Sequence, residues 1–446
     1  MPPSADAELP AATPGHIAIT ERERSSMLRR AVASCVVGQV FEVYDFVVYG
    51  FMAAAISRAF FPSEDPLAAL LSTFATLAIG FLFRPLGAIV IGSFGDRFGR
   101  RQALVLTISM MAIATGVIGL IPSYATIGIL APILLVICRA FQGFSTGGEW
   151  GGAAAFLVEY APDKNRGFIS SFQQAGTALG LLLGTLIAGL LTYSLDQESF
   201  QSWGWRIPFL LGFVLGPIGH YLRKHVNETP VFSQTVAAKA AASSPLREAL
   251  ATQKFNLLIA FGFSISPCVI YWTFLVFLPT FAQLELQMSP STTLFSTTFA
   301  GVVYLILSPI AGAISDRVGR KPVLYVSFIG AAVIGYPLFA YLVATRSVTA
   351  LVLVQTIAVI SLSLCAGVIC AVLSEIFPTR IRYTALSIGY GISVAIFGGF
   401  AALIATALIR FTGDPLAPAY YVIFGGVASF LATLFIVERA GKPLPE

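Results

Sequence analysis

Gly95-Asp96-Arg97-Phe98-Gly99-Arg100-Arg101 returns 220 positions later as Ser315-Asp316-Arg317-Val318-Gly319-Arg320-Lys321. A second set keeps nearly the same interval: Glu159, Pro162 and Arg166 recur as Glu375, Pro378 and Arg382, 216 positions on. Each seven-residue block lies between the second and third apolar run of its half of the chain. A charged loop duplicated at matching places implies two halves of one topology, the parallel-repeat arrangement in which one half rocks against the other around a central site.

Composition sets the solvent. With 446 residues, 57% of them hydrophobic and 11% charged, the chain has too little polar surface to cover several soluble cores, and it is read as a polytopic membrane protein. Apolar runs long enough to cross a bilayer fall near 31–58, 66–94, 102–121, 127–160, 167–194 and 206–222, then 255–283, 291–314, 322–344, 348–377, 384–411 and 416–437. The expected fold is all-α: twelve transmembrane helices in two six-helix halves, 31–222 and 255–437. A cytoplasmic linker, 223–254, joins them, and cytoplasmic tails, 1–30 and 438–446, flank them. Sorting the 27 Lys and Arg by loop places 21 on the side of the N-terminus and four on the other, with Arg84 and Arg139 left inside helices. That bias puts both termini in the cytoplasm. Residues 1–26 lack an apolar core segment and read as a disordered tail, not a cleaved signal. The five cysteines all fall in apolar runs without metal-ligand spacing, so no disulfide framework or metal site is expected.

Inside the fourth run stands Arg139-Ala-Phe-Gln142-Gly143-Phe-Ser-Thr146-Gly147-Gly-Glu149-Trp-Gly151-Gly152. At 3.6 residues per turn Arg139, Gln142, Thr146 and Glu149 share a stripe, and Gly143, Gly147 and Gly151 form a smooth stripe beside it. Glycines four apart let a second helix approach backbone to backbone, which holds the polar stripe against protein instead of lipid. Arg139 is expected near mid-membrane, and Arg84 nearer the inside end of the second run. An unpaired mid-membrane Arg costs about 2.5–3.5 kcal/mol on insertion scales, so Arg139 either ties two helices together or faces a pathway. Glu42 and Asp45, three apart in the first run, share its depth. Desolvation and a nearby guanidinium pull a carboxylate's proton affinity in opposite directions, so cargo arriving at the Arg is able to switch it. Either acid serves as counter-ion, the other as the titrating group.

The repeated loop resembles the signature of the major facilitator superfamily. Phe41-Glu42-Val43-Tyr44-Asp45-Phe46, Arg84-Pro85-Leu86-Gly87, Gln142 to Glu149, Trp203-Gly204-Trp205-Arg206-Ile207-Pro208 and Phe377-Pro378-Thr379-Arg380-Ile381-Arg382 resemble its metabolite:proton symporter family. The matches run from the first helix to the eleventh. The resemblance implies a proton-coupled carrier of a small metabolite in the inner membrane, with the cargo drawn from tricarboxylates, 2-oxoglutarate, other dicarboxylates, shikimate, or proline and betaine. It tilts the proton role toward Asp45.

For the cargo, Arg139 offers a planar fork matched to a carboxylate, and the amides of Gln142, Gln173 and Gln174 are candidate hydrogen-bond donors to further oxygens, unless they only join helices. Tyr271, Trp272 and Gln355 are the second-half candidates. Gly176, Gly180 and Gly184 repeat the smooth stripe on the helix that carries Gln173. Asp96, Arg97, Arg100, Glu159 and their counterparts Asp316, Arg317, Arg320 and Glu375 are expected to form a cytoplasmic gate whose charge-assisted bonds break on opening, besides fixing topology. A membrane enzyme is disfavoured, because His16, His220 and His225 lie near or beyond helix ends and no nucleophile, base or metal set accompanies them. The expectation is therefore a monomeric importer of an organic anion such as citrate or 2-oxoglutarate. It needs no cofactor beyond the proton gradient, sits in the lipid bilayer and binds no nucleic acid. A proline or betaine carrier is the alternative, weighed down slightly by the short stretch after Glu438.

Overall fold

The structure, a computed structural model, describes residues 21–64, 66–224 and 244–445. Most of the expected tail and linker, with His16 and His225, lie outside the described residues. Among the described residues every regular element is helical. The first half contains α1 (Glu21–Phe51), α2 (Pro66–Phe98), α3 (Arg100–Leu120), α4 (Leu130–Tyr160), α5 (Arg166–Ser194) and α6 (Gly212–Lys224). The second contains α7 (Lys254–Gln283), α8 (Pro290–Val318), α9 (Arg320–Thr345), α10 (Val348–Ile376), α11 (Thr379–Thr412) and α12 (Pro418–Leu434).

Ten of these are long and apolar enough to cross a membrane, whereas α6 has 13 residues and α12 has 17. The sixth expected run is broken: a short helix, Ile207–Leu210, precedes α6, and α6 continues through Lys224, into what reads in sequence as linker. The first run is broken too, at Met52, where a separate short helix, Ala53–Phe60, begins. Large apolar side chains such as Leu82, Ile113, Leu186, Val326 and Val333 are exposed along the helices, which suits a lipid solvent and not water.

The duplicated block is a corner in both halves. Gly99 between α2 and α3 has φ 116°, and Gly319 between α8 and α9 has φ 95°. Only glycine takes that backbone without a Cβ penalty, so the fifth position of each block is fixed by geometry. The two halves meet along seams that the duplication also relates: α2 lies against α11, and α8 lies against α5. Within the first half the glycine stripe of α4 packs on α2. A Cβ at Gly143 would collide with the Gly80 carbonyl, and one at Gly147 with the Arg84 carbonyl. The Gly176, Gly180 and Gly184 stripe of α5 meets α1 in the same way. Backbone contact at these crossings is what allows charged side chains on α1, α2 and α4 to face one another instead of lipid.

Candidate functional site

Three buried ion pairs step through the first half. Asp45 and Arg139, on α1 and α4, are both 0% exposed, with Nη1 of Arg139 3.0 Å from Oδ2. The other oxygen of Asp45 accepts from Thr115 Oγ1 at 2.9 Å and from Gln142 Nε2 at 2.8 Å. The Arg139 guanidinium lies over the Tyr49 ring, 3.7 Å from its centroid, and Tyr49 in turn donates to the Thr73 carbonyl. The partners all come from α1 to α4, so this pair is enclosed within one half.

Glu42 and Arg84 form the second pair, with Nη2 of Arg84 3.3 Å from Oε1. Arg84 was expected nearer the inside end of α2. It occupies instead the middle of the apolar span Ser72–Phe98, while Arg139 is only nine residues from the end of Leu130–Tyr160 opposite the gate. The guanidinium of Arg84 is held between Phe46 and Phe81, 4.7 and 4.6 Å from the ring centroids. Phe46 and Phe81 cluster with Cys268 and Val394, and Trp272, Tyr390 and Phe397 pack against them. These last five belong to α7 and α11, so the pair sits where the halves meet. Oε2 of Glu42, Nε of Arg84 and the Tyr271 hydroxyl are buried without a hydrogen-bond partner. On the gate side of this pair Trp150 of α4 stacks on Tyr390 of α11, with ring centroids 3.5 Å apart.

The third pair escaped sequence reading. Glu149 accepts from both terminal nitrogens of Arg223, including a 2.8 Å bond from Nη1, and from Thr107. Arg223 counts as a linker cation when only the apolar runs are read, because nothing in composition marks where α6 ends.

The residues expected to form a gate make two matching networks, one in each copy of the repeat. Asp96 takes the N-terminus of the α11 segment: Thr384 donates from N at 2.8 Å and from Oγ1 at 2.7 Å, Tyr383 N lies at 3.3 Å, and Arg100 Nη1 lies at 2.8 Å. Asp316 takes the N-terminus of α5: Gly167 N and Phe168 N each donate at 2.8 Å, and Arg320 Nη1 at 2.7 Å. Each aspartate thus crosses to the other half and meets the partial positive charge of a helix start. Glu159 receives Arg100 at 3.2 Å and Arg382 at 2.9 Å, and Glu375 receives Arg320 at 3.1 Å and Arg166 at 3.0 Å. Arg97 and Arg317 are exposed and stand outside this network. Arg382 and Arg166, which the gate set omitted, stand inside it. The signal was available, since both belong to the second repeated set.

Beyond α12 the chain crosses beneath both copies. Oε2 of Glu438 accepts from Arg320 N at 2.8 Å and Lys321 N at 3.0 Å, the Lys442 carbonyl from Arg166 at 3.1 Å, and the Pro445 carbonyl from Thr379 N at 3.1 Å and Arg382 Nη2 at 3.2 Å. Burial of the Glu438 carboxyl works against its charge, but the N–H groups of Lys321, Arg320 and Ala440 outweigh it and hold the group below the usual glutamate range.

The remaining candidates divide. Gln173 donates to Gln39 at 3.2 Å and to the Trp150 carbonyl at 3.1 Å, and Gln174 accepts from Tyr304 at 2.9 Å. Gln173 also accepts from Cys370 Sγ of α10 at 3.2 Å, so both glutamines reach the other half, Gln174 at α8. Gln355 donates to the Phe274 carbonyl at 2.8 Å and to Thr297 at 3.2 Å, within the second half. Tyr271 opens a π-helical stretch of α7, Tyr271–Phe277, a departure from regular winding that is frequent at functional sites. His220 is half-buried and 2.9 Å from Ser109.

A sequence profile described as "Sugar (and other) transporter" matches residues 31–255, and one described as "Major Facilitator Superfamily" matches residues 268–446. The chain is 37% identical over 426 residues to a glycine betaine/proline/ectoine/pipecolic acid transporter of Dickeya dadantii, covering 94% of this chain and 85% of that one. It is 35% identical over 408 residues to a citrate-proton symporter of Salmonella typhi, covering 91% and 93%. A solved structure of a proton:xylose symporter bound to 6-bromo-6-deoxy-D-glucose superposes with a TM-score of 0.81 at 20% identity, covering 94% of this chain and 98% of that one.

Proposed function

The chain belongs to the major facilitator superfamily of transporters, and on that premise we propose that it imports a compact zwitterion of the proline or betaine kind together with protons. The observation that carries this reading is charge balance. Each guanidinium at membrane depth already has a carboxylate: Arg139 has Asp45, Arg84 has Glu42, and Arg223 has Glu149. A di- or tricarboxylate would need fixed positive charge to spare, whereas a zwitterion brings none to be neutralised. The organic-acid expectation needed Arg139 to receive a cargo carboxylate, and Asp45 already occupies that guanidinium. The relatives named for betaine and proline, at up to 37% identity, support the same choice, although citrate-proton symporters at 35% keep the acid as the competing reading.

In this reading the chain spans the inner membrane twelve times, with α6 and α12 completing the halves and with gate and termini cytoplasmic. On the same reading the joined loop networks keep the cytoplasmic side shut while cargo and protons exchange with the far side. Asp45 takes the proton there. Its neutral form no longer holds Arg139 by charge, which loosens α1 from α4, and the gate opening then exposes Asp45 to the interior, where the proton leaves. Proteoliposomes test this directly: labelled betaine or proline should accumulate only under an inward-directed proton gradient. Excess betaine should compete, and citrate, 2-oxoglutarate and succinate should not. Inhibition by the acids alone overturns the zwitterion reading.

A further inference from the structure

We propose that the Glu42–Arg84 pair, and not Arg139, is the cargo site: Arg84 takes the carboxylate of the zwitterion, and Glu42 with the neighbouring ring faces takes its cationic end. The inference rests on the zwitterion reading above and adds to it the place where the cargo sits.

Three observations carry it. The first is position. A carrier that alternates between two open states must hold its cargo where the halves meet, and of the ion pairs at membrane depth Glu42–Arg84 is the one whose surroundings include α7 and α11, through Cys268, Trp272, Tyr390 and Val394. The second is incomplete bonding. Asp45 has three donors on its two oxygens, and the atoms left unpartnered there, Nε and Nη2 of Arg139 and Oε1 of Gln142, all belong to one half. Glu42, in contrast, keeps a carboxylate oxygen unpartnered, and Nε of Arg84 and the Tyr271 hydroxyl, from opposite halves, are orphaned with it. A buried polar group without a partner costs on the order of 1–3 kcal/mol, so a cluster of three calls for an occupant. The single 3.3 Å contact between Arg84 and Glu42 leaves the guanidinium's fork free to engage a second carboxylate.

The third is the kind of surface. Phe46 and Phe81 flank the guanidinium, Phe81 meets Trp272 edge-on at 5.1 Å, and Tyr271 meets Trp272 at 5.6 Å. Aromatic faces beside a carboxylate bind ammonium and quaternary ammonium groups, which resist the desolvation that a site in the membrane imposes. Carboxylate and cation of a proline- or betaine-sized molecule are a few ångströms apart, the separation over which Arg84 and Glu42 face each other. Cargo therefore replaces their mutual contact with two of its own and leaves the site neutral.

The test uses purified full chain and three probes: glycine betaine, proline, and choline, which has the cation without the carboxylate. Wild type should bind betaine and proline and discriminate against choline. Arg84→Gln should weaken betaine binding at least about tenfold, the loss of one good charge-assisted contact, while leaving choline unchanged. Arg84→Lys should recover part of the loss, and Arg139→Lys should leave betaine affinity within about threefold of wild type while abolishing proton-driven accumulation. If an unpaired Glu42 prevents Arg84→Gln from folding, the neutral double variant Glu42→Gln/Arg84→Gln leaves no lone buried charge and decides the matter by the same loss of discrimination. Unchanged betaine affinity in a folded Arg84→Gln or in the double variant overturns the assignment while the zwitterion reading stands. Wild type that binds citrate and neither zwitterion overturns the reading itself.

Discussion

Asp45–Arg139 and Glu42–Arg84 are two ion pairs less than one helical turn apart on α1, and they differ in almost everything except composition. The first is saturated on its carboxylate and walled in by its own half. The second makes one long contact, leaves a carboxylate oxygen unpartnered, and looks across to the other half. A saturated, enclosed pair suits a proton, which needs only an oxygen and a path. An unsaturated pair on the seam suits a molecule with charges of its own. The difference teaches that charge at membrane depth is not one feature but two, distinguished by what completes the hydrogen bonding.

The sharpest way to break the contrast is at Asp45. An amide cannot carry the proton, so Asp45→Asn should abolish gradient-driven accumulation, and removing one partner of a buried pair should cost about 3–5 kcal/mol of stability. Exchange of internal for external cargo should persist, measured with labelled betaine on both sides. Loss of exchange together with accumulation would place cargo, not a proton, at Asp45. A double variant Asp45→Asn/Arg139→Gln should recover thermal stability without recovering coupling.

The gate sharpens the comparison from outside, because it is present twice. Asp96→Asn and Asp316→Asn each remove charge from bonds worth about 1.5–3 kcal/mol, and each should open the gate side. Hydrogen exchange at the amides they hold, Thr384 for one and Gly167 and Phe168 for the other, should rise by similar factors. A large inequality would mean that one copy does the holding. Gly147→Ala comes next: its Cβ would strike the Arg84 carbonyl, and overpacking of this kind costs about 1–3 kcal/mol. Lower melting temperature with weakened betaine binding is expected, while Gly189→Ala, whose nearest neighbour would be 3.6 Å away, should behave as wild type.

How much of this was legible in the sequence follows from what sequence patterns encode. The duplicated block announced the two halves, and the glycine stripes announced which faces touch, because both are local spacings. Pairing across helices is set by relative depth and rotation, which depend on where helices begin. Arg84 looked off-centre because its helix was taken to end at 94 and not at Phe98. Arg223 looked like a loop charge because α6 outlasts its apolar run. Gln173 and Gln174 looked like a pair, but adjacent residues on a helix point about 100° apart: Gln173 meets Gln39, Trp150 and Cys370, whereas Gln174 meets Tyr304.

The smallest expected effect lies at Glu438. Its carboxyl is held below the usual glutamate range by three backbone N–H groups, so its stabilising contribution is complete above the ordinary value near 4.5 and is lost as pH falls through the lowered one. Protection of residues 438–445 from protease should decline in that acid window, and Glu438→Gln should remove the pH dependence while lowering protection at neutral pH. An unchanged pH profile would place the protection elsewhere.

That same stretch gives the transporter a clock hand. One peptide of eight residues touches the start of α9, the corner before α5 and the corner before α11, so it cannot keep all three contacts once the halves swing apart. Its release and return therefore mark each cycle, and a dye attached near Leu444 would blink once per turnover, reporting single transport events from a segment that never meets the cargo.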